Sequence, residues 1–143
     1  MKINEDSVVK DCLFASSKLP LLLTPRNDGI KLLEWIGVND NVSEVMDDLR
    51  EFGGILFRGF NDTTDTESFR RFCESFPAPL LKYTEQSSPR QKLQKNVYTS
   101  TTYPPDQYIP FHNANSFGHE FPLNIWFSCI RKSDTGGRKP AKH

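Results

Sequence analysis

Side chains able to do chemistry cluster in residues 96–130, which contain two of the three histidines, His112 and His119. His112 follows a short apolar run, residues 108–111, that is typical of a strand. The sequence therefore predicts a histidine presented at a strand end. A rigid sheet can hold such a ring as a metal ligand or a general base. The alternative is a histidine that is only exposed or hydrogen-bonded.

A second apolar run, residues 123–130, contains Trp126 and Phe127 and is rich in β-forming residues. It predicts a buried strand, separated from the first by the turn-prone residues 113–116. A hydrolase fits poorly, because the Gly-x-Ser-x-Gly motif is absent and Cys129 lies inside this run, as a structural thiol would. A zinc site made of His112, His119 and a cysteine has none of the usual ligand spacings.

The composition excludes several classes of protein. Eighteen basic residues balance eighteen acidic ones over 143 residues, so no charge patch for nucleic acid or a membrane surface is expected. Three cysteines at unrelated spacings indicate reduced thiols. No apolar run approaches the roughly 20 residues of a spanning helix, and residues 19–23 are too short for a signal peptide. We expect a cytoplasmic protein.

The elements that must position these residues begin after residues 1–20, which are weakly patterned and expected to be a mobile lead. An apolar extended segment at residues 20–25 follows. The pattern then predicts a helix over residues 30–35, capped by Asn27 or Asp28 and ended by Gly37.

A second helix is predicted for residues 43–52, with Ser43 as its cap and Gly53-Gly54 as its stop. Residues 55–57 predict a buried strand. Asp62 and the two threonines after it are expected to open a third helix. The apolar face of this helix is interpreted as core packing and consists of Phe69, Phe72, Cys73 and Phe76.

Residues 83–95 are polar and predict a linker or an exposed loop. Residues 96–103 contain Val97, Tyr98 and several threonines, which favour a strand. A proline-rich turn at residues 103–106 then leads into the strand that ends at His112. Ten prolines and eight glycines favour a mixed, loop-rich fold.

Taken together, these motifs resemble one enzyme family. The segments GGILFRGF (53–60), SPR (88–90), VYTSTTYPPDQYIPFHN (97–113), SFGHEFPLNIWFSC (116–129) and TGG (135–137) look like TauD/TfdA-type Fe(II)/2-oxoglutarate-dependent oxygenases. The sequence is most similar to the SyrP-like and clavaminate-synthase-like branch of natural-product biosynthesis. The resemblance runs over residues 21–137.

The resemblance implies an α+β fold: an incomplete double-stranded β-helix (jelly roll) with N-terminal helices packed on it. Residues 1–20 would be the mobile lead, residues 21–137 the N-terminal part of a TauD/TfdA-like domain, and residues 138–143 an unstructured tail. The implied function is that of an oxidoreductase of natural-product tailoring, with a small-molecule or carrier-bound substrate.

The family holds Fe(II) with two histidines and one carboxylate, which leaves positions for 2-oxoglutarate and dioxygen. Members of the SyrP-like and clavaminate-synthase-like branch have the sequence His-Asn-Glu where this chain has His112-Asn113-Ala114. The resemblance implies that His112 is a metal ligand and that Ala114 vacates the carboxylate position. Aliphatic halogenases of the superfamily place chloride at such a position, so a halogenase-like variant and an inactive relative are both open. Glu120 is expected to be structural.

The family's distal histidine and its 2-oxoglutarate-binding arginine would lie beyond His143, and residues 136–140 depart from the family's Gly-Gly-x-Thr-Pro. We therefore expect a truncated form that does not bind Fe(II) and 2-oxoglutarate in a complete site by itself. A non-catalytic fragment or a subunit of a split protein is the alternative. Open strand edges of a half-built jelly roll predict self-association or a complementing chain.

In relatives, the loop that corresponds to residues 83–95, before the strand predicted at residues 96–103, approaches the active site. The resemblance therefore implies four substrate-side candidates, although a solvated loop is the alternative for most of its charges. They are Tyr83, Ser88 and Arg90 in this loop, and Asn113, which follows His112.

Overall fold

The structure, a computed structural model, describes residues 7–38, 40–82, 90–100 and 121–131, and singly residues 104, 107, 108, 110, 112 and 134. Its elements in chain order are β1 Val8–Phe14, β2 Ser17–Pro25, α1 Leu32–Ile36, α2 Asn41–Phe52, β3 Ile55–Phe57, α3 Thr66–Glu74, β4 Lys92–Gln94 and β5 Val97–Tyr98. Strands β1, β2 and β3 form one sheet in that order, and β4 pairs with β5 in a second.

Strand β2 is the central strand of the larger sheet. It pairs antiparallel with β1, where Val8 lies opposite Pro25, and parallel with β3, where Leu23 lies opposite Phe57. Leu23 is 0% exposed, because the helices cover this face of the strand. The parallel partner is reached through α1 and α2, as a parallel connection requires a crossover.

The core lies between this sheet and the three helices. Alternate residues of β2 and the apolar faces of the helices meet there, as the pleat and the helical period require. Its buried members include Leu21, Leu23, Trp35, Ile36, Val45, Phe72 and Cys73. The predicted core role of the aromatic face of α3 is confirmed for Phe72, Cys73 and Phe76, while Phe69 packs against the core partly buried.

The prediction of a mobile lead over residues 1–20 is wrong for residues 8–20, which form β1 and the start of β2. The stabilising contacts are tertiary, so the local pattern does not show them. Besides its ladder with β2, β1 places the Lys10 ammonium 2.6 Å from a carboxylate oxygen of Glu44 and 2.6 Å from one of Asp48, both on α2. Burial lowers the pKa of Lys10, but its bonds to Asp48 and Glu44 outweigh this and raise it.

The caps of the helices differ from those predicted. Helix α1 begins at Leu32 rather than next to Asn27 or Asp28, and α2 begins after Asp40 rather than at Ser43. Gly37 and Gly53 end these helices as predicted, Gly53 with a left-handed φ of 72°. Asp62 does not open α3; Asp65 does, and its carboxylate accepts hydrogen bonds from the N–H groups of Glu67 and Ser68.

The predicted strand at residues 55–57 is confirmed as β3, with half-buried side chains. The predicted strand over residues 96–103 is shorter: only Val97 and Tyr98 form β5, and residues 101–103 lie outside the described residues. The polar segment 83–95 contributes β4 at its end, and residues 83–89 are likewise outside. Tyr108 and Pro110 belong to no strand, and residues 109 and 111 are not described.

The buried strand predicted at residues 123–130 is wrong. Residues 121–131 have extended or irregular backbone without ladder partners among the described residues. Leu123 is 92% exposed and Phe127 71%. Cys129 is exposed as well, so it is not the buried structural thiol that the apolar run predicts. A strand needs a neighbour to pair with, and apolar composition does not supply one.

The mixture of helices and sheets agrees with the α+β prediction. The described part of the chain contains a three-stranded sheet and a two-stranded hairpin, and these do not close into a barrel. It also contains no helix long and apolar enough to cross a membrane.

Candidate functional site

The imidazole of His112 is exposed and held by its own backbone. Its Nδ1 lies 2.8 Å from the carbonyl oxygen of Pro110. A carbonyl oxygen only accepts hydrogen bonds, so Nδ1 carries the proton and donates it. In the neutral ring Nε2 then has a free lone pair. Metal-binding histidines are commonly fixed in this way, with one ring nitrogen on a carbonyl and the other on the metal.

The described residues can provide one ligand of an iron centre, His112, but not the complete set of ligands. They contain no group of three histidine, cysteine, aspartate or glutamate side chains placed to hold a metal ion. Asn113 and Ala114, which follow His112, lie outside the described residues, as do His119 and Glu120. A single imidazole does not hold Fe(II) specifically. The described residues therefore do not form a complete catalytic centre by themselves.

A cleft of about 140 Å³ lies between α3, the β4–β5 hairpin and residues 121–131. Of the substrate-side candidates, Arg90 lines this cleft, while Tyr83, Ser88 and Asn113 lie outside the described residues. His112 is not one of its lining residues. The structure therefore describes two of the predicted site residues and does not bring them together in this cleft.

Threonine hydroxyl groups line the cleft together with Arg90. The Oγ1 of Thr66 accepts a hydrogen bond of 3.3 Å from the side-chain amide of Gln94. The Oγ1 of Thr99 accepts one of 3.0 Å from the backbone N–H of Gln91. Each hydroxyl has one proton of its own to donate. The lining of the cleft therefore includes two hydroxyl groups whose oxygens already accept a hydrogen bond.

Trp126 forms part of the apolar wall and anchors residues 121–131 to α3. Its ring lies 5.7 Å from that of Phe72 at 89°, and 4.6 Å from that of Phe76. Such edge-to-face and tilted pairs are favoured by the ring quadrupoles. The sequence predicts the apolar face of α3, but it does not predict what packs against that face. Nothing local indicates that Trp126 packs on it.

The hairpin is positioned by Asn96, which occupies its turn with a left-handed φ of 60°. Asparagine tolerates this conformation better than most residues. Its side-chain Nδ2 also donates a hydrogen bond of 2.7 Å to the carbonyl oxygen of Leu80, beyond the end of α3. This bond ties the hairpin to the chain that follows α3. The contributions of Thr66 and Thr99 to the cleft were missed by sequence reasoning, because they depend on this docking.

The motifs around His112 and the comparison with known families together define a class, the non-haem iron oxygenases. The family model described as "Taurine catabolism dioxygenase TauD, TfdA family" matches residues 16–141. The chain belongs to this family, whose members are 2-oxoglutarate-dependent dioxygenases with a jelly-roll fold. The resemblance found in the sequence is thereby confirmed.

Two curated relatives match the same extent of chain. A clavaminate synthase-like protein of Arabidopsis thaliana and the dapdiamide synthesis protein DdaC of Enterobacter agglomerans are each 36% identical over 92 residues. Those residues are 64% of this chain and 28% of each relative. The chain thus aligns with less than a third of the length of these relatives.

Proposed function

We propose that this chain is the N-terminal part of an Fe(II)/2-oxoglutarate-dependent oxygenase of natural-product tailoring, and that His112 is its first metal ligand. The observation that carries the proposal is the 2.8 Å contact from His112 Nδ1 to the Pro110 carbonyl oxygen. This contact leaves Nε2 as the donor atom and fixes the plane of the ring before any metal arrives.

The role in tailoring is supported by the names of the relatives. One is named for the synthesis of dapdiamide and the other for its likeness to clavaminate synthase. A small-molecule or carrier-bound substrate fits both. When bound, iron with 2-oxoglutarate would supply oxidative chemistry on that substrate. The task of the described residues would be to hold one coordination position through His112.

The remaining ligands must come from outside the described residues. The exposed apolar side chains within residues 121–131 also indicate that a neighbouring strand is missing. Phe121, Leu123, Ile125 and Phe127 are all more than half exposed. In a completed jelly roll, a paired strand at this place would cover side chains of this kind. A complementing chain that carries the later part of the domain would provide that strand and the missing donors.

The decisive experiment is an anaerobic titration with Fe(II), with and without 2-oxoglutarate, that follows the charge-transfer absorption of the chelated complex. We expect the absorption when the chain is mixed with a complementing chain, and we expect its loss in His112→Ala. His143→Ala is the matched control, because the sequence gives that histidine no role. Absorption that survives in His112→Ala would contradict the assignment of His112.

A halogenase-like activity is the second candidate, and Ala114 is the observation that favours it. A methyl group has no donor atom, so a position on iron would stay open for chloride. The assay is succinate formation in the mixture with Fe(II), 2-oxoglutarate and chloride, with mass spectrometry of the product. We expect a chlorinated product, and we expect Ala114→Glu to abolish chlorination by supplying a carboxylate. Succinate with only hydroxylated product would contradict this candidate.

A non-catalytic fragment or split-protein subunit is the remaining alternative. The exposed apolar residues 121–131 favour self-association of a chain studied alone. Size-exclusion chromatography of the chain at several concentrations measures this directly. A clean monomer at every concentration would count against the half-built jelly roll. Failure of every mixture to form succinate would favour the non-catalytic alternative.

A further inference from the structure

The overall net charge of zero combines two parts of the chain with opposite charge. Residues 1–74 contain nine lysine or arginine residues and fourteen aspartate or glutamate residues, which gives a net charge of −5. Residues 75–133 contain six basic residues and three acidic ones, Glu85, Asp106 and Glu120, which gives a net charge of +3 even with all three acids counted. The balanced composition therefore does not exclude a charged surface on one part of the protein.

Four exposed cations of this second part lie near the β4–β5 hairpin. Together they are called the basic surface and are Lys82, Lys92, Lys95 and Arg131. Lys92 is the first residue of β4, and Lys95 directly precedes Asn96 of the turn. The side chain of Asn96 donates its hydrogen bond of 2.7 Å to the carbonyl oxygen of Leu80. Lys82, two residues after Leu80, therefore lies close to this turn.

Arg131 completes the basic surface, because the preceding Ile130 lines the same cleft as Leu93 of β4. In the described part of the chain, none of the four cations makes an ion pair. The cations of residues 1–74 that pair with carboxylates of the helices are Lys10, Lys31, Arg50 and Arg70. The charge of the basic surface is thus available to a binding partner.

Two exposed leucines accompany these cations. Leu81 precedes Lys82, Leu93 follows Lys92, and each leucine is 48% exposed. Apolar residues next to charged ones are typical of protein interfaces, where the charges orient the partner. An extended polyanion, such as DNA or an anionic membrane, would also meet residues 1–74, whose net charge of −5 would repel it. A short acidic segment can contact the basic surface alone.

We propose that the basic surface binds an acidic segment of a partner protein in which carboxylates are interspersed with apolar residues. The carboxylates would pair with the lysines and Arg131, and the apolar side chains would contact Leu81 and Leu93. Because exposed ion pairs are weak individually, the partner must engage several of these cations at once. The inference goes beyond the proposed function and does not rest on it, since it involves neither His112 nor iron.

Binding is measured on the full chain by the fluorescence anisotropy of a labelled peptide. The probe is a fluorescein-labelled peptide of four Glu-Glu-Leu repeats, and the control peptide has four Gln-Gln-Leu repeats. We expect saturable binding of the acidic peptide, and affinity at least about tenfold lower for the neutral one, because several ion pairs are lost together. The affinity of the acidic peptide should also fall as sodium chloride is added, because salt screens exposed charges.

The double variant Lys92→Gln with Lys95→Gln removes two charges of the basic surface and should weaken binding of the acidic peptide by about fivefold. The matched control is Lys18→Gln with Arg58→Gln, because both are exposed cations of residues 1–74 without an ion pair in the described part of the chain. It changes the net charge equally and should leave the affinity within about twofold. Lys92→Arg with Lys95→Arg keeps the charge and should bind as the native chain does. Circular dichroism checks that each variant is folded.

Equal affinity for the two peptides, or equal loss in the two glutamine double variants, would overturn the proposal. Tighter binding of single-stranded DNA or of phosphatidylserine vesicles than of the acidic peptide, at the same salt concentration, would also overturn it. Sedimentation velocity without peptide tests a second copy of the chain as the occupant. An oligomer at low salt that dissociates in the Lys92 and Lys95 glutamine variant, but not in its control, would assign the surface to that copy and overturn the proposal.

Discussion

The carboxylate of Asp62 caps the helix that begins at Leu32, thirty residues earlier in the chain. Its Oδ1 accepts a hydrogen bond of 2.8 Å from the backbone N–H of Leu32, and its Oδ2 accepts one of 2.9 Å from that of Leu33. Helix α1 has only five residues, a length that is not stable by itself in water. The loop after β3 thus holds the start of α1 in place.

We predict that Asp62→Ala lowers the free energy of unfolding by about 2 kcal/mol, since it leaves two backbone donors without their charged acceptor. The measurement is equilibrium unfolding in urea. Asp28→Ala is the control, because Asp28 was a predicted cap for the same helix and is exposed. It should change stability by less than about 0.5 kcal/mol. Equal losses in the two variants would refute the capping role of Asp62.

The stability that Asp65 contributes is expected to depend on pH. Hydrogen bonds from Ser68, and then from the backbone of Glu67, hold the pKa of this carboxylate below its usual value. The unfolded chain therefore takes up a proton at higher pH than the folded one. The stabilisation by Asp65 is complete above the unfolded pKa and is lost as the pH falls through the folded pKa, that is, below about pH 4.

Asp65→Asn keeps an accepting oxygen but has no charge to lose. We expect the melting temperature of the native chain to fall more steeply on acidification below about pH 4 than that of the variant. Differential scanning calorimetry over a pH series measures both curves. Parallel curves would show that Asp65 contributes nothing specific in acid.

The three cysteines should differ in reactivity. Burial raises the pKa of the Cys73 thiol to about 12, while Cys12 and Cys129 are exposed. Since the thiolate is the nucleophile, Cys73 should resist alkylation near neutral pH. Mass spectrometry after iodoacetamide treatment should show two adducts on the folded chain and three in denaturant. Modification of Cys73 in the folded chain at the rate of the other two would contradict its burial.

Trp126 is expected to be the anchor of residues 121–131. Trp126→Ala removes its contacts with Phe72 and Phe76 and should cost about 1–2 kcal/mol. It should also speed hydrogen exchange throughout residues 121–131. Leu123→Ala is the control, because Leu123 is 92% exposed and should cost nothing measurable. Unchanged exchange in Trp126→Ala would show that the segment is held by other contacts.

The elements that sequence reasoning placed correctly are those with local signals. Gly53 ends α2 because it adopts a left-handed φ, and the short run of residues 55–57 makes β3 directly after it. The apolar face of α3 likewise follows from helical spacing alone. Family membership was also accessible, because several motifs agreed in order and spacing.

The errors share one cause, which is dependence on contacts with other segments that the local sequence pattern does not show. Strand β1 has little pattern of its own and exists through its ladder with β2 and the ion pairs of Lys10. The cap of α1 is thirty residues away at Asp62. At residues 121–131 the composition is that of a strand, but this segment pairs with no strand among the described residues. Of the candidate site, His112 and Arg90 were identified from sequence, whereas the cleft around Arg90 depends on tertiary docking.

The strand order β1, β2, β3 sets an expected sequence of folding events. Two residues join β1 to β2, so this hairpin closes over a short loop and can form in about 1–10 μs. Strand β3 must wait until the intervening thirty or so residues have collapsed into α1 and α2, a slower search through many chain conformations. Nucleation should therefore start near the amino terminus, with the parallel edge added last.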